Sequence, residues 1–267
     1  MPLHHARTGS GEPLVLVHGL ASSAEAWARI VPALAERFDV IAIDLPGFGR
    51  SAPDGTPPSV EGQAARVARC FDEVGVTRPH VAGFSMGGGI ALQLARLGAV
   101  RSATAIAPVG FWTDRERAFC QRSLSTTIAL ARRIRPVAPT IVSTAAGRTA
   151  LFSQTFARPW RMTPGEALST LDAAISCPGF EPCNAAFSEH RFRDPGELRT
   201  VPLTIAWGDR DRLLLYRQAR RARRMLPWAR HVTLTGCGHA PFTDDEAQVA
   251  QVVLAGATVP ASARAPV

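Results

Sequence analysis

Ser85 sits at the centre of Gly83-Phe84-Ser85-Met86-Gly87, a G-x-S-x-G pattern. A serine hydroxyl is a poor nucleophile near neutral pH. It needs an adjacent base, normally histidine, that is itself oriented by a carboxylate. The surroundings of Ser85 suit that chemistry: the apolar run His80-Val81-Ala82 precedes it, and a helix-like stretch from Gly88 to Ala95 follows. Where a strand turns sharply into a helix, glycines are required at the two flanking positions, and the tight turn pushes the serine hydroxyl out above the sheet.

The chain has seven histidines. His4 and His5 lie in the N-terminal lead-in, His80 and His231 open strands, and His190 falls in a helical middle region. These five read as surface or structural residues. His239 differs, because Gly236-Cys237-Gly238-His239-Ala240-Pro241-Phe242 lies directly between a strand and the last helix. Its flanking glycines free the loop to carry an imidazole over the sheet edge towards Ser85. The orienting carboxylate should follow a strand and lie between serine and histidine in the chain. Trp207-Gly208-Asp209-Arg210-Asp211 offers two such residues, Asp209 and Asp211.

The elements that must position these groups alternate between short apolar runs and longer amphipathic stretches. Strands are expected at 14–17, 40–43, 80–82, 103–107, 203–207 and 231–234. Helices are expected near 24–37, 60–74, from the serine to 97, 213–226 and 244–254. Strands that are apolar throughout, alternating with helices, specify a parallel sheet covered on both faces, an α/β fold. The rhythm breaks between about 111 and 198, where helical patterns near 114–134, 139–157, 164–176 and 184–192 suggest an insert over the strands' C-terminal ends. We therefore expect a core domain of residues 1–110 and 199–257, a helical cap of 111–198, and a disordered Ala/Pro-rich tail of 258–267.

Composition narrows the class. At 267 residues and 46% hydrophobic content, the chain can bury a large core without disulfides or metal. Its five cysteines are scattered and odd in number, which argues against a disulfide framework, and no zinc-type spacing occurs. Neither a cofactor nor a metal is expected. There is no apolar run of membrane-span length and no signal-peptide core at the N-terminus, so the expected location is cytoplasmic. The net charge of +8 comes wholly from arginine, since lysine is absent. Arg217, Arg220, Arg221 and Arg224 share one helical face, read either as a solvated face or as a docking patch for an acidic partner. No nucleic-acid motif accompanies them, and nucleic-acid binding is not expected.

Together these segments resemble the α/β-hydrolases, specifically the capped serine esterases. His18-Gly19-Leu20 is similar to the family's oxyanion loop, and Asp44-Leu45-Pro46-Gly47-Phe48-Gly49-Arg50-Ser51 to its D-x-P-G-x-G-x-S loop. The Ser85 turn, the W-G-x-x-D segment and G-H-x-P-F follow in the family's order, so the resemblance spans residues 14–254. It implies an α/β-hydrolase fold with a mostly parallel sheet and a helical cap insertion. It also implies Ser85 as nucleophile, His239 as base and Asp211 as acid, with Asp209 the runner-up, and the backbone N–H groups of Leu20 and Met86 as oxyanion donors. His18 and Asp44 would brace their loops.

The implied reaction is hydrolysis of a small or medium carboxylic ester. An aspartate at the position of Ser85 would instead mean a dehalogenase or epoxide hydrolase. Phe84 and Ala240 depart from the Asn and Trp usual in meta-cleavage C–C hydrolases. Phe84 to Gly89 matches the elbow of cofactor-free haloperoxidases, which stay as an alternative. D-L-P-G-F-G-R-S and G-H-A-P-F also occur in pimeloyl-acyl-carrier-protein methyl esterases. With Arg115, Arg117, Arg122, Arg132, Arg133 and Arg135 in the cap, they make an acyl group on an acidic carrier protein a second substrate class. A non-catalytic ligand receptor on this fold is the third alternative. Phe111, Trp112, Phe119, Leu130, Phe152, Phe156 and Trp160 either line an acyl pocket or pack the cap onto the core.

Overall fold

Val15, Val17, Ile41, Ile43 and Val81 bury into one apolar cluster, while Leu14, Leu16, Val40, Ala42 and Ala82 bury into another. That period of two marks the opposite faces of a sheet covered on both sides. The structure, a computed structural model, describes residues 1–193, 198 and 200–258. Among them, seven strands form one sheet in the order β1-β3-β2-β4-β5-β6-β7. They are β1 (His5–Thr8), β2 (Glu12–Val17), β3 (Phe38–Ile43), β4 (His80–Phe84), β5 (Ser102–Ile106), β6 (Leu203–Gly208) and β7 (Arg230–Leu234). β1 runs antiparallel to β3, and the other pairings are parallel.

Helices α1 (Val31–Ala35), α2 (Val60–Glu73) and α3 (Met86–Arg96) alternate with the first strands. Between β5 and β6 come α4 (Asp114–Ile134), α5 (Ala138–Ser143), α6 (Ala145–Phe152), α7 (Pro164–Ile175) and α8 (Phe180–Ala186), with no strand among the described residues there. α9 (Arg217–Met225) and α10 (Glu246–Ala257) complete the order. Leu34 of α1 and Val249, Val252 and Val253 of α10 fill one face of the sheet, and Val60, Val67 and Ile90 of α2 and α3 the other.

Four expected helices have different bounds. The stretch 24–37 is a 3₁₀ turn, Ala24–Trp27, followed by α1. Pro32 lies in the first turn of α1, where its missing N–H is tolerated, but it cannot continue a helix from upstream. The stretch 139–157 splits at Thr144, whose extended backbone and side chain, accepting the Gly147 N–H, start α6 afresh. The last α-helix of the insert among the described residues is α8, which ends at Ala186, before most of the expected 184–192. α9 begins at Arg217 and not near 213; in the turn that precedes it the Asp211 carboxylate accepts the N–H groups of Leu213 and Leu214. The expected tail lies, apart from Thr258, outside the described residues, as do 194–197 and 199 at the expected cap boundary.

Three polar fasteners join the α4–α8 segment to the sheet and its helices. Arg29 donates to Glu166 of α7 and Glu246 of α10. Asp244 accepts from the backbone of Ala157 and Arg158. Glu116 of α4 is buried and paired with Arg217 and Arg221 of α9. Burial acts to raise the Glu116 carboxyl, but the Thr113 N–H and the two guanidinium groups outweigh it and hold it below the usual range. Two members of the arginine face on α9 thus pair with Glu116, although Arg217 stays 62% exposed and Arg220 and Arg224 are exposed. The five cysteines are free and buried. No described helix is long and apolar enough to cross a membrane.

Candidate active site

β3 lies on one side of β2 and β4 on the other, so the direction of winding reverses at β2. Sheets of this kind bind ligands in the crevice beyond the strands' C-terminal ends at such a reversal. Val17 pairs with Gly83 across it, so the loop after β2 and the turn after β4 leave side by side. A Cβ on Gly19 would sit 3.0 Å from the Ser85 Cβ, a measure of how closely that loop crosses the serine.

Ser85 adopts φ 57° and ψ −117° between β4 and α3. An L-residue held there costs on the order of 1–3 kcal/mol, and it persists because the surroundings over-determine it. Its N–H donates to Ile106 O at 2.8 Å, and its carbonyl accepts from Gly89 at 3.1 Å and Val109 at 3.2 Å. A Cβ at Gly83 would run into the Gly87 carbonyl, and one at Gly87 into that of Val17. The two glycines are therefore a packing requirement of the turn; the left-handed backbone falls on Ser85, not on them.

His239, in the loop after β7, brings Nε2 to 2.9 Å from Ser85 Oγ. Its Nδ1 lies 2.9 Å from Asp211 Oδ2. A carboxylate only accepts, so Nδ1–H donates to Asp211 and Nε2 is left to receive the serine proton. Asp211 Oδ1 accepts from Leu213 at 2.9 Å and Leu214 at 2.8 Å. All three side chains are buried. Asp209 turns away and accepts the Gly236 N–H at 2.7 Å, so the structure brings Asp211, not Asp209, to the histidine.

Leu20 follows the crossing glycine, and Met86 is the first residue of α3, where backbone N–H groups lack intrahelical partners. Among the described residues, no backbone or side-chain acceptor takes the N–H of either. His18 is buried against Phe48. Its Nε2 accepts from the Leu45 N–H at 3.0 Å, and its Nδ1–H donates to Gly19 O at 2.7 Å. Burial pushes it down to about 4, which keeps it neutral as a brace between two loops. Asp44 accepts from Ala24 and Arg50, a loop anchor as the sequence suggests.

Asp244 was not singled out by sequence reasoning, which placed it at the start of the last helix. It is fully buried, and its carboxylate accepts the N–H of Gly238, one residue before His239, as well as those of Ala157 and Arg158. A carboxylate five residues after the histidine and before the helix cap at Asp245 was the available signal.

A cavity of about 420 Å³ opens over Ser85 and His239. Its walls include Leu20 and Phe84 from the core, Cys120, Leu124, Ile128 and Ala131 from α4, Phe152 and Phe156 from the α6 region, and Leu171 from α7. Of the aromatic and apolar residues that could have lined it, Leu130, Phe152 and Phe156 do so. Phe111 and Trp112 pack inward, Phe111 stacking on Phe192 and Trp112 resting against Phe187. Phe119 and Trp160 are exposed. Burial pushes the Cys120 thiol up to about 12, so it serves as an apolar wall group.

Residues 14–252 match the model of the alpha/beta hydrolase family, and the chain belongs to that family. It is 39% identical over 112 residues to the dihydrolipoyllysine-residue acetyltransferase component of the acetoin cleaving system of Cupriavidus necator. That stretch is 41% of this chain and only 30% of that one. An uncharacterised protein of Mycobacterium tuberculosis is 29% identical over 92% of this chain and 75% of its own. Among solved structures, a bacterial membrane phospholipase A described as a virulence factor is 28% identical with a TM-score of 0.75. The match covers 97% of this chain and 84% of that one.

Proposed function

We propose that the protein is a serine hydrolase of small or medium carboxylic esters that works through an acyl-enzyme. The single observation that carries the reading is the unbroken series Asp211–His239–Ser85, with both links at 2.9 Å, opening on an apolar cavity. Ser85 Oγ attacks the ester carbonyl carbon as its proton passes to His239 Nε2. Asp211 holds the Nδ1–H and stabilises the imidazolium. The carbonyl oxygen, now negative, sits between the N–H groups of Leu20 and Met86, fixed donors of the kind that lower such barriers by about 3 kcal/mol each. His239 returns the proton to the departing alkoxide. Water, deprotonated by the same imidazole, then releases the acid and restores the serine. A cavity of about 420 Å³ is within the ordinary range for a small-molecule site.

On this reading the segment between β5 and β6 is a cap that roofs the cavity. The carrier-protein substrate class draws less support from the side chains. Of its six arginines, Arg117, Arg132 and Arg135 are paired with Asp114, Glu181 and Asp172. The test of the main reading is Ser85→Ala assayed on p-nitrophenyl butyrate, with folding checked by circular dichroism. Loss of hydrolysis in a folded variant is expected, and full activity would overturn it.

A further inference from the structure

The outer face of α4 carries apolar side chains where solvent would favour polar ones. Arg115, Phe119, Arg122, Thr126, Leu130 and Arg133 recur every three or four residues, so they form a single stripe, and all six are exposed. It runs about 27 Å at 1.5 Å per residue. Phe119 is 46% exposed and Leu130 53%, and Val137, in the 3₁₀ turn that follows, is 55%. No carboxylate among the described residues pairs with Arg115, Arg122 or Arg133, although Arg117, Arg132 and Arg135 are all paired.

The stripe also adjoins the cavity. Phe119, Arg115 and Arg122 flank a shallow surface groove that reaches Thr127 and Gln154, and these two residues line the inner cavity as well. Thr127 Oγ1 donates to Gln154 Oε1 at 3.3 Å, a long hydrogen bond across the partition. Leu130 is shared between the stripe and the cavity wall.

We propose that this face of α4 docks on an anionic lipid surface and delivers apolar esters from it to the cavity. Phenylalanine, leucine and valine gain by entering the headgroup boundary, while arginines among them meet lipid phosphates and keep their heads at the interface. Charge alone would fit an acidic protein equally well. The large apolar side chains interleaved with unpaired arginines favour the lipid. Docking stands independently of the ester chemistry, and only the delivery step rests on it.

The experiment is co-sedimentation of the full chain with vesicles of phosphatidylcholine, with and without phosphatidylglycerol. Three proteins are compared: wild type, Phe119→Ser/Val137→Ser and Arg115→Gln/Arg122→Gln. Binding should require the anionic lipid, weaken with salt, and fall about fivefold per arginine removed. The serine pair should abolish it, while both variants hydrolyse a water-soluble ester at the wild-type rate. Wild-type binding that ignores lipid charge, or variants that bind as wild type does, would overturn the proposal. So would binding to an acidic acyl-carrier protein with none to vesicles. A wild type that binds vesicles and hydrolyses nothing would keep the docking surface and discard the esterase reading.

Discussion

Asp211 presents one carboxylate oxygen to His239 at 2.9 Å and commits the other to the backbone N–H groups of Leu213 and Leu214. The same carboxylate therefore orients the imidazole and is itself fixed in rotamer.

Asp211→Asn keeps the shape but removes the acceptor that selects the Nδ1–H tautomer. We expect kcat for a soluble ester to fall by about 10³–10⁴-fold. Asp209→Asn, which loosens only the Gly236 turn, should cost less than about tenfold. The reverse ranking would move the acid to Asp209.

The strain at Ser85 makes a prediction about stability. Ser85→Gly and Ser85→Ala both remove the hydroxyl, but only glycine adopts φ 57° freely. Ser85→Gly should be more stable than Ser85→Ala by about 1 kcal/mol, measured by denaturant unfolding. Equal stability would mean that the turn holds no strain.

The fold was legible where one residue's neighbours in sequence decide its state. The mostly apolar runs of β3 to β5 and the glycines around Ser85 are of that kind, as is the helical pattern that placed α4 at 114–134. What was not legible depended on partners far along the chain. Arg217 and Arg221 look like half of a solvated face until Glu116 arrives from over a hundred positions away. Phe119 and Phe156 are equally apolar in sequence, and only the packing of α4 and of the segment after α6 sends one outward and the other into the cavity. Asp244 was hidden because a polar residue before a helix reads as a cap.

That residue should be more than local. Asp244→Ala would strip three buried or half-buried N–H groups of a charged acceptor, at Gly238, Ala157 and Arg158. We expect a loss of about 3 kcal/mol or more, with faster proteolysis near residues 155–161 and a lower kcat, as the His239 loop and the helical segment come apart together. An unchanged proteolytic pattern would limit Asp244 to its own loop.

Stability should also respond to pH through His18. Burial lowers it from 6.5 to about 4 in the folded state, so between those values the unfolded chain takes up a proton that the native chain refuses. This contribution is complete above pH 6.5 and is lost as pH falls to about 4, to the extent of about 3 kcal/mol. Unfolding curves across that window should be flatter for His18→Asn, though that variant is less stable at neutral pH. Identical slopes would assign the acid sensitivity to other groups.

The proposed chemistry requires Ser85 to be an activated nucleophile, and activation is separable from substrate identity. Treatment of the folded chain with a fluorophosphonate probe, followed by peptide mass spectrometry, reads it directly. One adduct is expected, on Ser85, and it should disappear in His239→Ala. No adduct on the folded protein, or an adduct on a different residue, would contradict it.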